Sequence, residues 1–128
     1  MSHHLHMKYC PVAAIRQCID AARVLNGLLP GLRDSLHALE SEQVFMCCVA
    51  SNAEEYIVHM FEALCEENNV PLFRDCSGQE IGEYCGLYKL DQAGNPCKIV
   101  NTPVFVITKL PCDFEPFYYL TEILNGTE

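Results

Sequence analysis

Lys89, Asp91 and Lys98 fall with Cys85 and Cys97 in the stretch IGEYCGLYKLDQAGNPCKIVN, residues 81–101. Two cations, a carboxylate and two thiols so close together admit three chemistries: proton transfer in a catalytic loop, metal binding, or neutralisation of a phosphate-bearing partner. Lys89 and Asp91 have the same parity and share a face of an extended segment. The run from Asp91 to Pro96 is rich in turn formers, with Gly94 free to take a positive φ and Asn95-Pro96 favouring a tight bend. Lys98 then leads back into apolar Ile99 and Val100. This spacing predicts a protruding, hairpin-like loop with a lysine on each arm, which makes a poor catalytic pocket and a good projection onto a partner.

Other chemistries find little support. The sequence contains neither G-x-G-x-x-G nor G-x-x-x-x-G-K-[ST], and its glycines read as punctuation at helix ends. G-x-S-x-G and H-E-x-x-H are also absent. His59 lies between Val58 and Met60 and reads as a boundary residue, not the partner of a cysteine nucleophile. Glu54-Glu55 and Glu66-Glu67 fall at predicted helix ends and are not placed for acid–base catalysis. The nine cysteines include no C-x-x-C pair and several lie inside apolar runs, so they read as small buried hydrophobes in a reducing compartment. The expectation is therefore no catalytic residue, no cofactor, no metal and no small-molecule substrate.

The elements that must position Lys89 and Lys98 follow from the hydrophobic pattern. The 128 residues suffice for one domain with a real core. Pro11 suits a first helical turn, and Val12, Ile15, Ile19, Ala22 and Leu25 form a helical stripe stopped at Asn26-Gly27. A short apolar segment closed by Pro30-Gly31 leads to a second helix with Leu32, Leu36 and Leu39 on one face. VFMCCVA (44–50) and TPVFVIT (102–108) read as strands buried on both faces, with Cys47 and Cys48 pointing oppositely. Asn52 and Glu55 suit N-cap and N3 of a third helix, whose core face carries Tyr56, Met60, Phe61, Leu64 and Cys65. VPLF (70–73) is a short strand. Ser77–Glu80 is a capping box opening a brief helix that Gly86 closes. Pro116, Phe117, Leu120, Ile123 and Leu124 predict a final helix. Residues 1–9 are expected to be a disordered tail, and 10–128 one domain. Alternating strands and helices make the class α/β, a layered helix–sheet–helix sandwich.

Charge narrows the partners. Seventeen acids against eight bases give a net charge of −9, which opposes general nucleic-acid binding but permits a local contact with a few phosphates. The longest apolar run is far short of the ~20 residues of a membrane span, and the first residues lack a secretory pattern, so an intracellular protein without a membrane partner is expected.

FMCCVASNAEE, FEALCEENNVPLF and above all GEYCGLYKLDQAGNPCKIV resemble the eukaryote-specific ribosomal protein twelve family of the small subunit, within the kink-turn-binding-protein superfamily. The likeness runs from about Val12 to Thr108. It implies a three-layer α-β-α sandwich with a central mixed sheet. It also implies a non-catalytic constituent of the cytoplasmic ribosome that contacts small-subunit rRNA and neighbouring ribosomal proteins near the subunit head. The superfamily grips RNA at two places, which correspond here to PGLRDSLH and GLYKL. The candidate RNA-binding residues are accordingly Gly31, Arg33, His37, Gly86, Lys89 and Lys98. The kink-turn readers carry Gly-x-Asn-Glu-x-x-Lys at the first place; this chain keeps only the glycine and shortens the acid to Asp34.

The same superfamily includes acidic signalling proteins that bind protein partners. The net charge keeps an extraribosomal adaptor as the alternative, against which stands the K-L-D-x-x-G-x-P-x-K block. The acidic face suits basic neighbouring proteins better than rRNA, and Phe117, Tyr118 and Tyr119 read as packing residues of the last helix.

Overall fold

The computed structural model describes residues 10–126, so the expected tail at 1–9 lies outside the described residues. In chain order the elements are α1 (Pro11–Val24), β1 (Leu28–Pro30), α2 (Leu32–Ser41), β2 (Met46–Val49), α3 (Glu55–Asn68) and β3 (Leu72–Phe73). They continue with α4 (Gly78–Tyr84), β4 (Tyr88–Leu90), β5 (Pro96–Ile99), β6 (Val104–Ile107) and α5 (Glu115–Leu124).

Four strands form a mixed sheet in the order β1-β6-β2-β3, with β6 antiparallel to both neighbours and β2 parallel to β3. Every residue of β2 and β6 is buried, as their unbroken apolar runs require. Alternation divides these strands between two cores. Met46, Cys48, Phe105 and Ile107 pack with α1, α4 and α5 on one face, and Cys47, Val49, Val104 and Val106 with α2 and α3 on the other. Cys47 and Cys48 thus point oppositely, and helices cover both faces of the sheet, giving the expected α-β-α sandwich. None of the described helices is long and apolar enough to cross a membrane.

Local signals explain most boundaries. Pro11 begins α1, and Asn26 ends its turn in the left-handed region at φ 59°. The capping box at α4 is complete: Ser77 Oγ accepts from the Glu80 N–H at 3.1 Å, and Glu80 Oε1 accepts from the Ser77 N–H at 2.8 Å. Gly86, φ 75°, follows the α4 C-cap as expected.

Four expectations fail for identifiable reasons. Asn52 does not cap α3, whose N-cap is Glu54; its Oδ1 instead accepts from the Gly78 N–H at 3.0 Å, at the start of α4. The buried stripe of α3 is centred on Ile57, Val58, Phe61 and Cys65, which turns Tyr56 off the core face and leaves it 62% exposed. Leu25 is the C-cap of α1 and 40% exposed, because the helical period no longer carries it inward. Gly78 and Gly82 are not end punctuation: both are buried in α4, where a Cβ would collide with Asn101 Oδ1 and the Val100 carbonyl, respectively. Their missing side chains let α4 lie directly on the 99–102 connection, which carries the β4–β5 ribbon.

Candidate nucleic-acid interface

Four loops meet around residues 100–104. Val100 N–H donates to the Leu87 carbonyl at 2.8 Å, Thr102 N–H to Gly78 at 3.0 Å, Ala50 N–H to Pro103 at 2.8 Å and Gly31 N–H to Val104 at 2.8 Å. These bonds hold the N-terminus of α2 and the exit from α4 against one scaffold. A cleft of about 390 Å³ runs between them, lined by Arg23, Leu28, Pro30 and Cys85 among others. Gly31 and Gly86 each follow a residue that lines that cleft, Pro30 and Cys85. Both glycines have positive φ, 99° and 75°, and a Cβ at either would meet nothing within 4 Å. The backbone is open to approach at both.

Gly31 is the N-cap of α2, and no side chain caps that helix. The first-turn N–H groups and the positive end of the helix dipole therefore face outward beside Arg33. Arg33 and His37 are exposed and one turn apart on α2, so they share a face. Asp34, also in the first turn, limits the positive field there.

Lys89 and Lys98 are register partners in the antiparallel β4–β5 ribbon, which is solvent-exposed from Tyr88 to Lys98 and irregular between Lys89 and Leu90. The predicted hairpin is therefore present, with its two lysines opposite each other on one face. Asp91 does not sit between them as a counter-ion: its Oδ1 accepts from Ala93 N–H at 3.0 Å and Asn95 N–H at 2.8 Å, shaping the turn. Gly94 supplies the positive φ, 88°.

The other described cations divide by what their own fold asks of them. Arg16 lies over the Tyr84 ring, 5.2 Å from its centroid. Arg23 pairs with Asp20 at 3.6 Å and donates through Nη2 to the Tyr84 carbonyl. Arg74 donates through Nη2 to the Ala50 and Ser51 carbonyls, 2.9 Å each. Among the described residues, ion pairs join Arg23 to Asp20 and His59 to Glu62. Arg16 and Arg74 lie outside these pairs but are held by Tyr84 and by backbone carbonyls. Arg33, Lys89, Lys98 and Lys109 lie outside them as well. Lys109 lies beyond the end of β6, away from Gly31 and Val104.

Sequence reasoning missed two features here. Arg23 fixes the α4 terminus from 61 residues away, a contact with no local signal. A second cavity, about 310 Å³, opens beside Leu32 and takes Asn52, Tyr56 and Asn101 into its lining. An exposed phenol ring beside side-chain amides suits an unpaired base, but Asn52 and Tyr56 carried patterns of a cap and a core position. No group of three metal-capable side chains occurs among the described residues.

The arrangement can place cations and backbone donors against phosphates, with glycines permitting close contact. Residues 13–101 match the model of the ribosomal protein L7Ae/L30e/S12e/Gadd45 family. The chain belongs to this family. It is 36% identical over 96 residues to small ribosomal subunit protein eS12 of Caenorhabditis elegans, spanning 74% of this chain and 69% of the relative. It is 32% identical over 95 residues to the Drosophila melanogaster protein of the same name, covering 73% and 68%. The corresponding Dictyostelium discoideum protein is 28% identical over 116 residues, covering 90% and 85%. The matched span contains both glycine loops and the whole β4–β5 ribbon.

Proposed function

We propose that this chain is a structural constituent of the small ribosomal subunit in the cytoplasm, contributing binding and no catalysis. Its RNA-facing surface comprises Gly31, Arg33 and His37 from the α2 start with Gly86, Lys89 and Lys98 from the α4 exit and ribbon. The likeness to small ribosomal subunit proteins supports the assembly, and the same names favour it over the adaptor alternative. The observation that carries the RNA contact is the pairing of Lys89 with Lys98 on an exposed ribbon. Like charges directly opposite destabilise a sheet, whereas a phosphate between them converts that cost into attraction. Neighbouring ribosomal proteins would take the acidic remainder of the surface.

Binding of the purified protein to small-subunit rRNA, compared with its Arg33→Glu plus Lys89→Glu variant, tests this reading. The expected result is measurable binding by the parent and a loss of at least about tenfold in the variant. Equal affinities would refute the site.

A further inference from the structure

The last turn of α4 leaves four carbonyls without a partner inside the helix. Three of them accept from the backbone that follows: Ile81 from Cys85 N–H at 2.9 Å, Gly82 from Leu87 N–H at 2.8 Å and Glu83 from Gly86 N–H at 3.0 Å. The fourth, at Tyr84, accepts from Nη2 of Arg23, which reaches it from the last turn of α1. α4 has no basic residue in its own last turn, so the Arg23 guanidinium sets its charge against the negative ends of two helices. Nη1 of the same group lies 3.6 Å from Asp20 Oδ1, one turn back on α1. Arg16, two turns before Arg23, lies over the Tyr84 ring. α1 therefore grips Tyr84 by its ring and by its carbonyl.

Half of the candidate interface hangs on that residue. Gly86 comes two residues after Tyr84, and β4 opens at Tyr88. The β4–β5 ribbon is a separate two-stranded sheet that shares no strand with the four-stranded one. Its attachment is therefore local: the Val100 N–H bond to the Leu87 carbonyl and the packing of Gly82 on Val100, both at the exit from α4. On the other side, α1 runs on through Asn26 and Gly27 into β1 and Gly31. Arg23 also lines the cleft, together with Pro30 and Cys85, the residues before the two glycines. A bond from Arg23 to Tyr84 thus ties the chain segment that leads to Gly31 to the one that leads to Gly86.

We propose that Arg23 is a positioning residue for RNA: its bond to the Tyr84 carbonyl sets the spacing of the Gly31 and Gly86 arms, and with it the place of Lys89 and Lys98 relative to Arg33. Arg23 acts through the backbone and not on phosphate, since Nη2 is given to Tyr84 and Nη1 faces Asp20. A lysine at this position keeps the charge but offers one donor centre where the guanidinium fork serves two partners. The effect on binding rests on the proposed RNA contact, whereas the clamp itself is a property of the free protein.

The test compares the full chain with its Arg23→Gln and Arg23→Lys variants, by amide hydrogen exchange of the free proteins and by binding to small-subunit rRNA over a range of salt. In Arg23→Gln, exchange should quicken by about tenfold or more at Gly86, Leu87 and Val100, while the amides of β2 and β6 keep the parent's rates. Affinity for rRNA should fall by about fivefold or more with the salt slope unchanged, because no phosphate contact is lost. Arg23→Lys should lie between the parent and Arg23→Gln in both measurements. Faster exchange throughout β2 and β6 would make Arg23 a general stabilising residue and overturn the proposal. A salt slope smaller by about one would also overturn it, by placing Arg23 directly on phosphate. Quickened exchange with unchanged affinity would remove its role in binding, and unchanged exchange at the three amides would remove the clamp. A parent chain that fails to bind rRNA would refute the RNA contact, and with it Arg23's part in binding, even where exchange upholds the clamp.

Discussion

Lys89 and Lys98 stand directly opposite each other across the β4–β5 ribbon, on the same face and with Asp91 Oδ1 committed to the turn amides beyond them. An isolated two-stranded ribbon is marginal, and a like-charge pair weakens it further. The arrangement makes sense as one half of a contact whose other half is anionic.

Lys98→Glu should therefore separate stability from binding. The change turns a repulsive pair into an attractive one, so the ribbon should gain about 0.2–1 kcal/mol. Affinity for small-subunit rRNA should fall at the same time. Denaturant melts and filter binding on the same preparation check both signs.

Salt should act weakly. With Arg33, Lys89 and Lys98 as the principal phosphate contacts, the slope of log K against log salt should be about −2 to −3. Replacing Lys89 by Gln should reduce the slope by about one. A slope near −8 would mean that many cations outside this surface take part.

Gly82→Ala should cost about 1–3 kcal/mol, because the added methyl would meet the Val100 carbonyl, which the adjacent backbone holds in place. RNA binding should fall with it, since relief of the clash moves the connection that carries Lys98. Gly86→Ala would act differently: the space is open, so only its φ of 75° resists the change, at about 1–2 kcal/mol.

Burial pushes the Cys18 and Cys85 thiols up to about 12 from an ordinary 9.0. Their neutral forms are favoured in the native state, so their contribution to stability is complete below pH 9 and is lost between about 9 and 12. Each thiol should steepen the alkaline fall by up to about 1.4 kcal/mol per pH unit. Urea melts across that range should show a shallower fall for Cys18→Ala, whatever its absolute stability. In the native protein at pH 8, iodoacetamide should label Cys10, Cys97 and Cys112, which are exposed, well before the buried thiols.

Much of the fold is legible in the sequence because its signals are local. Unbroken apolar runs mark β2 and β6, Ser77 and Glu80 lie at capping-box spacing, and Asp91 to Pro96 is dense in turn formers. The misreadings at Asn52 and Tyr56 arise where a local signal competes with a distant partner: Asn52 carries the chemistry of a cap, but the helix it serves begins at Gly78. The reading of Gly82 as end punctuation fails for the same reason, since close packing on Val100 cannot be seen from its neighbours in sequence. Within the candidate interface, residue types identified Lys89 and Lys98, but their exact opposition needed the register. That Pro30 and Cys85, the residues before Gly31 and Gly86, line one cleft needed the fold, because no spacing in the sequence encodes it.

The central claim is most directly tested by sucrose-gradient sedimentation of cell extract at low and high salt, following the chain and its Arg33→Glu plus Lys89→Glu variant by immunoblot. The parent should travel with small subunits under both conditions, and the variant should shift toward the top of the gradient, most clearly at high salt. A parent chain found at the top under both conditions would contradict membership of the subunit. A variant retained as firmly as the parent would contradict the surface assigned to RNA.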